Sequence, residues 1–393
     1  MSRLTLFHVG FLFLILFFTT TAKAQKEAET FNVDSTLYEY YQRCQEYLLE
    51  PVVLSMSDTL FRMAGERHDE RMQAVAIATR LDYYYFQGTN EDSVIHYTNK
   101  VKEFAKATHQ PKYYYFAWAN RLVTYYLKTS RTNIALYEVQ NMLKEAQKED
   151  DKTGLSRCYN IMSQIYTIKR FDSMAFEWRL KEIELTEKYN IENYNISQTY
   201  AQIANYYISQ KKQKEALRAV EKAISTANSS TQQISAKLEY VNYYSKFSDF
   251  QAAEKILKEC QIAFEQDKRL ESIKKRLYNI ECLYYQQTRQ YQKALEAAEM
   301  QEKEEHRLSE SILSSSHYRT QGEIYQKMGN MNMAVKYLQM YINTDDSLKI
   351  ANEQVASSEF ATLLNVEKLN AEKKELMLQA QEKELHNKTT LII

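Results

Sequence analysis

The stretch TYAQIANYYISQKKQKEALRAVEKAIS, residues 199–225, decides the fold of this chain because it carries two apolar stripes at helical spacing. The first stripe recurs at i, i+3, i+4 and i+7 and consists of Tyr200, Ile203, Ala204 and Tyr207. The second consists of Ala216, Val220, Ala223 and Ile224. The polar residues SQKK at 209–212 separate the two stripes. Spacing of this kind places apolar side chains on one face of each helix, so the stretch predicts a helical hairpin.

A tyrosine followed nine positions later by a small residue recurs along the chain. The pairs are Tyr126–Ala135, Tyr166–Ala175, Tyr207–Ala216, Tyr244–Ala253, Tyr285–Ala294 and Tyr325–Ala334, with Tyr85–Val94 as a weaker copy. Successive alanines lie 40, 41, 37, 41 and 40 residues apart. A regular period of this length predicts an array of stacked hairpins, and small residues let crossing helices approach closely. The 2 prolines and 6 glycines in 393 residues favour an all-α chain.

The unit SHYRTQGEIYQKMGNMNMAVKYLQMY, residues 316–341, resembles a tetratricopeptide repeat. The matching residues are Tyr318 at the aromatic position, Gln321-Gly322 at the Leu-Gly step, Tyr325 at the tyrosine, Ala334 at the small position and Leu338 at the later apolar position. The resemblance implies a right-handed superhelical α-solenoid, with the array over residues 76–346 and a degenerate helical pair over 25–75. Other units are looser, since Arg179 and Lys237 replace apolar and aromatic residues. The period also exceeds the family's usual length of about 34 residues.

Residues 1–24 have the layout of a secretory signal peptide. Arg3 precedes the apolar stretch 4–18, and Ala22-Lys23-Ala24 offers small residues at the two positions that signal peptidase reads. An uncleaved membrane anchor is the alternative, but a span takes about 20 apolar residues and this stretch is shorter. The sequence therefore predicts export and a mature chain that begins at Gln25.

The region 347–388 predicts a long charged helix with a tendency to form a coiled coil. It lacks turn signals and carries an imperfect heptad pattern through Val366, Leu369, Leu376 and Ala380, which makes a homodimer through this helix a candidate. Residues 389–393, TTLII, have the character of the start of a transmembrane segment.

This order of segments resembles the periplasmic input region of Bacteroidetes tetratricopeptide sensor-regulators. The resemblance implies a sensory role in signal transduction, a periplasmic location and a tether to the inner membrane at the carboxyl end. Those regulators continue through a transmembrane helix into an output domain, so either the gene is truncated or split here or the chain is a fragment. A soluble periplasmic scaffold that assembles other envelope proteins is the alternative.

Motifs for catalysis, cofactor binding and metal binding are absent from the sequence. Six scattered glycines form no phosphate-binding loop, and the 7 histidines and 4 cysteines have no zinc-site spacing. The sequence predicts a protein that is not an enzyme and needs no cofactor or metal; a hydrolase with an unfamiliar site is a remote alternative. Because 51 basic residues balance 51 acidic ones, no charge excess favours nucleic acid.

The resemblance implies that the first helix of each hairpin lines a concave groove in which a peptide or protein partner binds. The groove positions carried over from the repeat match are Asn120, Arg157, Asn160, Gln164, Asn205, Asn242, Arg276, Asn279 and Arg319. Primary amides can both donate to and accept from a peptide backbone, and arginines can pair with a carboxylate. The alternative is a merely hydrophilic exposed face. The repeat also sets Cys260 and Cys282 at facing small positions, as buried small residues or as a disulfide.

Overall fold

The computed structural model describes residues 33–88, 90–191, 193, 195–308 and 316–347, together with single residues farther along the chain. The predicted signal peptide at 1–24 and the apolar end at 389–393 lie outside the described residues, and so does most of the predicted helix at 347–388. Those three interpretations therefore stay predictions.

Within the described residues the regular structure is helical throughout and comprises sixteen helices. They are α1 (Ser35–Glu46), α2 (Val52–Glu66), α3 (Glu70–Gln87), α4 (Glu91–Ala107), α5 (Pro111–Tyr115, continued by the π-helical Phe116–Val123 and by Thr124–Lys128), α6 (Thr132–Lys148), α7 (Lys152–Ile168), α8 (Asp172–Tyr189), α9 (Ile196–Ser209), α10 (Gln213–Ser225), α11 (Ser230–Lys246), α12 (Phe250–Gln266), α13 (Lys274–Gln287), α14 (Tyr291–Leu308), α15 (Ser316–Lys327) and α16 (331–347). A 3₁₀ segment, Lys268–Ile273, joins α12 to α13.

Consecutive helices pair into hairpins, from α1–α2 to α15–α16, and the odd-numbered member is called here the first helix of its hairpin. The all-α fold of repeated helical hairpins that the sequence predicts is confirmed. The described part of the chain contains no helix with the length and apolar character needed to cross a membrane.

The turn inside each hairpin explains the spacing between tyrosine and alanine. In α9–α10, Lys211 has a left-handed φ of 58°, and the next residue, Lys212, donates its backbone N–H to the carbonyl of Tyr207 at 2.9 Å. The carbonyl of Lys212 then accepts the N–H of Ala216 at 2.9 Å. The same pair of bonds occurs in the five other hairpins that carry the motif. This is a Schellman ending followed by the first bond of the next helix, so the turn itself fixes the nine-residue interval.

The small residues of the repeat lie where two helices approach closely. Ala135, Ala175 and Ala216 are fully buried. At Gly322, an added Cβ would lie 2.8 Å from the Cγ atom of Leu338 on the following helix, so this crossing requires glycine. All four cysteines are buried free thiols, and Cys260 and Cys282 therefore act as small buried residues.

Contacts divide the chain into two compact units, residues 1–161 and 162–393. The core of the first unit includes Leu37, Val53 and Leu60. One core cluster of the second unit is built on Ala204 and Val220, with further clusters towards the carboxyl end. Each unit thus has its own buried apolar interior.

Candidate functional site

All nine predicted groove residues lie on first helices. Asn120 is on α5; Arg157, Asn160 and Gln164 are on α7; Asn205 is on α9; Asn242 is on α11; Arg276 and Asn279 are on α13; Arg319 is on α15. The sequence pattern therefore assigned these residues to the correct class of helix. Whether they bind a ligand stays a prediction.

Several of these residues contact one another through side chains that are 37 positions apart. In the first unit, Nη1 of Arg157 donates to Oδ1 of Asn120 at 2.7 Å. In the second unit, Nδ2 of Asn242 donates to Oδ1 of Asn205 at 2.6 Å. Also in the second unit, Arg276 forms an ion pair with Glu239. The polar face is therefore a set of bonds between neighbouring first helices.

Other predicted residues are not brought into these pairs. Arg319 pairs with Glu323 of its own helix at 2.8 Å, and both partners are largely exposed. Gln164 and Asn279 are exposed and Asn160 is half-buried. None of these four residues lines either of the two cavities described next.

A cleft of about 630 Å³ lies in the first unit among first helices only. Its walls come from α1, α3, α5 and α7, and we call it the first-unit cleft. Apolar and aromatic side chains that line it include Val33, Tyr38, Tyr41, Val75, Tyr113 and Phe116. A volume of this size falls in the range of ligand sites, which are mostly apolar with a few placed polar groups.

Cationic groups outnumber the acidic ones in the first-unit cleft. Arg71, Lys112 and Arg157 line it, and Asp82 is the one carboxylate among its described lining residues. Asp82 is already paired with Arg121, whose Nη2 donates to Oδ2 at 3.2 Å. Burial raises the pKa of Asp82, and the bonds from Arg121 oppose that rise. The cleft thus carries an excess of positive charge in a chain of zero net charge.

Arg157 is the most confined of these cations. Its Nε atom is buried and has no hydrogen-bond partner. Burial lowers the pKa of the guanidinium, because an apolar environment disfavours the charged form. A buried donor without a partner costs about 1–3 kcal/mol. Arg157 therefore holds hydrogen-bonding capacity that the chain itself does not use.

The π-helical segment Phe116–Val123 carries three residues that surround this cleft. Phe116 lines the cleft, Asn120 holds Arg157, and Arg121 holds Asp82. The guanidinium carbon of Arg121 also lies 4.4 Å from the centroid of the Phe116 ring. A π-helical stretch is rare and is frequent at functional sites. Here it brings the ring, the amide and the guanidinium to one side of the cleft.

A smaller cavity of about 210 Å³ in the second unit adjoins Asn205 and Asn242. Nearby, Glu239 is 1% exposed, and its carboxylate accepts from Asn242 at 3.5 Å as well as from Arg276. This second polar cluster contains an acidic partner for its arginine, although the Nε atom of Arg276, like that of Arg157, is buried without a hydrogen-bond partner.

Sequence reasoning missed most residues of the first-unit cleft. It treated residues 25–75 as a degenerate pair and placed no site residue before Asn120. One signal was available: Arg71 and Asp82 are eleven positions apart, about three helical turns, and so share a face of α3.

Comparison with known proteins places the fold. The quorum sensor NprR from B. thuringiensis, in its apo form, has a TM-score of 0.50 and 14% identity, covering 81% of this chain and 91% of that one. The apo form of RapI has a TM-score of 0.50 and 15% identity, covering 68% of this chain and 98% of that one. A tetratricopeptide repeat protein from Parabacteroides merdae has a TM-score of 0.42 and 13% identity, covering 82% and 99%.

No protein-family model and no curated protein matches the sequence. The first two structural likenesses, together with the repeated hairpins, show that this chain has a tetratricopeptide-repeat fold.

Proposed function

We propose that this chain is an exported peptide-binding module and forms the periplasmic sensory part of a signal-transduction regulator. Its ligand lies in the first-unit cleft, between α1, α3, α5 and α7. The observation that carries the proposal is the cleft itself: about 630 Å³, largely apolar, with a buried arginine Nε that has no partner. Apolar walls with a few convergent polar groups suit a short segment of peptide.

Binding of synthetic hexapeptides tests the proposal. A library of fluorescent N-acetylated hexapeptides is titrated with the mature chain, 25–393, and anisotropy is measured. The Val75→Trp variant places a large ring in the cleft and should weaken binding about tenfold or more. Val335→Trp, at a side chain that is 65% exposed in the second unit, is the matched control and should bind as the wild type does.

Because Val75 also packs against the first-unit core, a second variant keeps the test independent of folding. Tyr113→Ala enlarges the cleft and removes an aromatic wall, so it should also weaken binding. Circular dichroism and thermal melting check that each variant is folded. Equal binding by wild type and both cleft variants would refute the assignment of the site.

The export part of the proposal is supported by the layout of residues 1–24. It predicts that the chain expressed in a didermic bacterium is cut after Ala24 and collects in the periplasmic fraction. Mass spectrometry of the purified amino terminus measures this directly. A chain that keeps residues 1–24 and stays in the cytoplasm would contradict it.

The alternative is a soluble periplasmic scaffold without a signalling role. The imperfect heptads at 347–388 favour the sensor, since relay requires an element with two states that the ligand biases. A dimer of the mature chain that is lost when 355–388 is deleted would favour the sensor. A monomer with several bound envelope proteins would favour the scaffold.

A further inference from the structure

Two half-buried arginines occupy the same register in the repeat and have different partners. Arg157 and Arg276 each lie nine positions before a repeat tyrosine, Tyr166 and Tyr285. Each donates from its guanidinium to a side chain that precedes it by 37 residues. For Arg276 that side chain is the carboxylate of Glu239, whereas for Arg157 it is the neutral amide of Asn120. The Nε atoms of both arginines are buried without a hydrogen-bond partner, so the two sites differ in the acidic partner that Arg276 has and Arg157 lacks.

The charge of Arg157 has no counterpart among the described residues. No carboxylate of that part of the chain lies within ion-pair distance of it. Asp82, the carboxylate that lines the cleft, is bound by Arg121 through two nitrogen atoms. A buried charge without an opposite charge is unfavourable, so an anionic group entering the cleft would be stabilised there.

The surroundings of Arg157 favour an anion over a neutral group. Arg71 and Lys112 line the same cleft, and the exposed side chain of Lys112 adds a mobile positive charge. Apart from Thr79 and Asp82, the rest of the wall is apolar or aromatic, with Val75 and Phe116 among its residues. An ion pair is strengthened where such walls exclude water, and a guanidinium can bind a carboxylate through two parallel hydrogen bonds.

We propose that the ligand of the first-unit cleft is an acidic peptide, one carboxylate of which pairs with Arg157 at the place that Glu239 takes beside Arg276. The inference rests on the proposed peptide-binding function and names the chemical class of that ligand. The carboxylate replaces the missing acidic partner, and apolar side chains of the peptide contact Val75 and Phe116. Arg157 is the residue that sets this preference.

The test uses the hexapeptide library in four forms: with a free carboxyl terminus or a carboxamide, each with or without one aspartate or glutamate. Binding is expected to require a carboxylate, and the forms distinguish a terminal carboxylate from a side-chain carboxylate. Arg157→Gln should weaken binding of carboxylate peptides by about tenfold or more, the value of a hydrogen-bonded charge pair. Arg218→Gln removes an exposed arginine from a second helix of the second unit, α10, and should leave binding unchanged.

A second variant supplies the missing carboxylate from the chain itself and should stabilise the fold. Asn120→Asp puts a carboxylate at the position of an atom that already lies 2.7 Å from Nη1 of Arg157. It should raise the melting temperature, because it completes the pair as Glu239 does for Arg276. It should also abolish the preference for acidic peptides, since the internal carboxylate occupies their place.

The outcomes separate this inference from the proposed function. Peptides that bind equally as acids and as neutral amides, with no effect of Arg157→Gln or Asn120→Asp, would overturn the acidic ligand and leave peptide binding intact. A library in which no member binds the wild-type chain would overturn both.

Discussion

The turn residues show how single positions are strained in this repeat. In five of the six hairpins with the tyrosine–alanine motif, the left-handed position is occupied by a residue other than glycine: Ser130, Arg170, Lys211, Ser248 and Arg289. In the sixth it is Gly329. A left-handed conformation costs an L-residue roughly 1–2 kcal/mol. These turns are therefore formed against the local preference of the chain.

Replacing such a residue by glycine should stabilise the fold. Arg289 has a φ of 62° and an exposed side chain, so Arg289→Gly should raise the free energy of unfolding by about 1 kcal/mol. Arg289→Ala also removes the charge but retains the Cβ atom, and it should give no gain. Urea denaturation of the three chains makes the comparison. Equal stability of the glycine and alanine variants would show that the backbone conformation is not the cause.

The repeat register decides which helix carries each predicted site residue, and ligand binding by those residues stays a prediction. The register placed Asn120 and Arg157 on first helices, and the structure joins them by a hydrogen bond. It could not show that Arg157 lacks an acidic partner, because that depends on which side chain the preceding hairpin presents. Asn120 and Glu239 differ in chemistry although both lie 37 positions before an arginine.

At the scale of elements, the contact among α4, α5 and α6 contains a half-buried lysine, Lys102. The Nζ atom of Lys102 lies 3.2 Å from the centroid of the Trp118 ring. The Nε1–H group of Trp118 donates to Glu138 at 2.7 Å, which fixes the ring. Burial lowers the pKa of Lys102 from 10.5 to about 8, against the opposing effect of Glu145 and Glu138. The aromatic face and the carboxylates offset only part of the cost of burying the amine.

The titration of Lys102 should therefore contribute stability that increases with pH between about 8 and 10. Below about pH 8 the folded and unfolded chains both carry the charge on Lys102. Between the lowered and the ordinary pKa only the unfolded chain still binds that proton, so the contribution of Lys102 to the free energy of unfolding increases with pH, by on the order of 2 kcal/mol. Urea denaturation in steps of pH measures the increase.

Lys102→Met should remove this increase because it removes the titrating group. Lys100→Met, at an exposed position of the same helix, should retain it. The pH window ends near 10 because tyrosines titrate above it. Burial raises the pKa of Tyr114 and Tyr126, so the unfolded chain loses these protons at a lower pH than the folded chain, and the free energy of unfolding then falls.

Burial raises the pKa of Cys44 and Cys260 to about 11, so the unfolded chain loses thiol protons first and these thiols oppose Lys102 in the same pH range. The effect of Lys102 is therefore the difference in the free energy of unfolding between wild type and Lys102→Met, and a difference that does not change between pH 8 and 10 would contradict the assignment.

The sequence predicted the helical hairpins because the geometry of a local turn fixes them. The intervals from Tyr207 to Ala216 and from Tyr325 to Ala334 follow from one turn geometry, so they predicted the hairpins. The π-helical stretch Phe116–Val123 was not predicted, because its apolar residues also fit an ordinary α-helix. The position of the cleft was also not predicted. It depends on how α1 and α3 pack beside α5, and the apolar pattern within one helix carries no information about packing between helices.

At the scale of the whole molecule, the two compact units carry different polar clusters on their first helices. The first unit has the larger cleft, with the incompletely paired Arg157. The second unit has the amide pair Asn205–Asn242 and the buried pair Glu239–Arg276. We therefore propose that residues 33–161 bind the ligand and that the polar cluster of the second unit has a chiefly structural role.

Hydrogen–deuterium exchange of the mature chain, with and without the tightest-binding hexapeptide of the library, tests this assignment most directly. We expect the peptide to slow exchange in α1, α3, α5 and α7, most strongly in the segment Phe116–Val123. Exchange in α11 and α13 should not change. Protection confined to the second unit, or to the second helices α2, α4 and α6, would contradict ligand binding in the first-unit cleft.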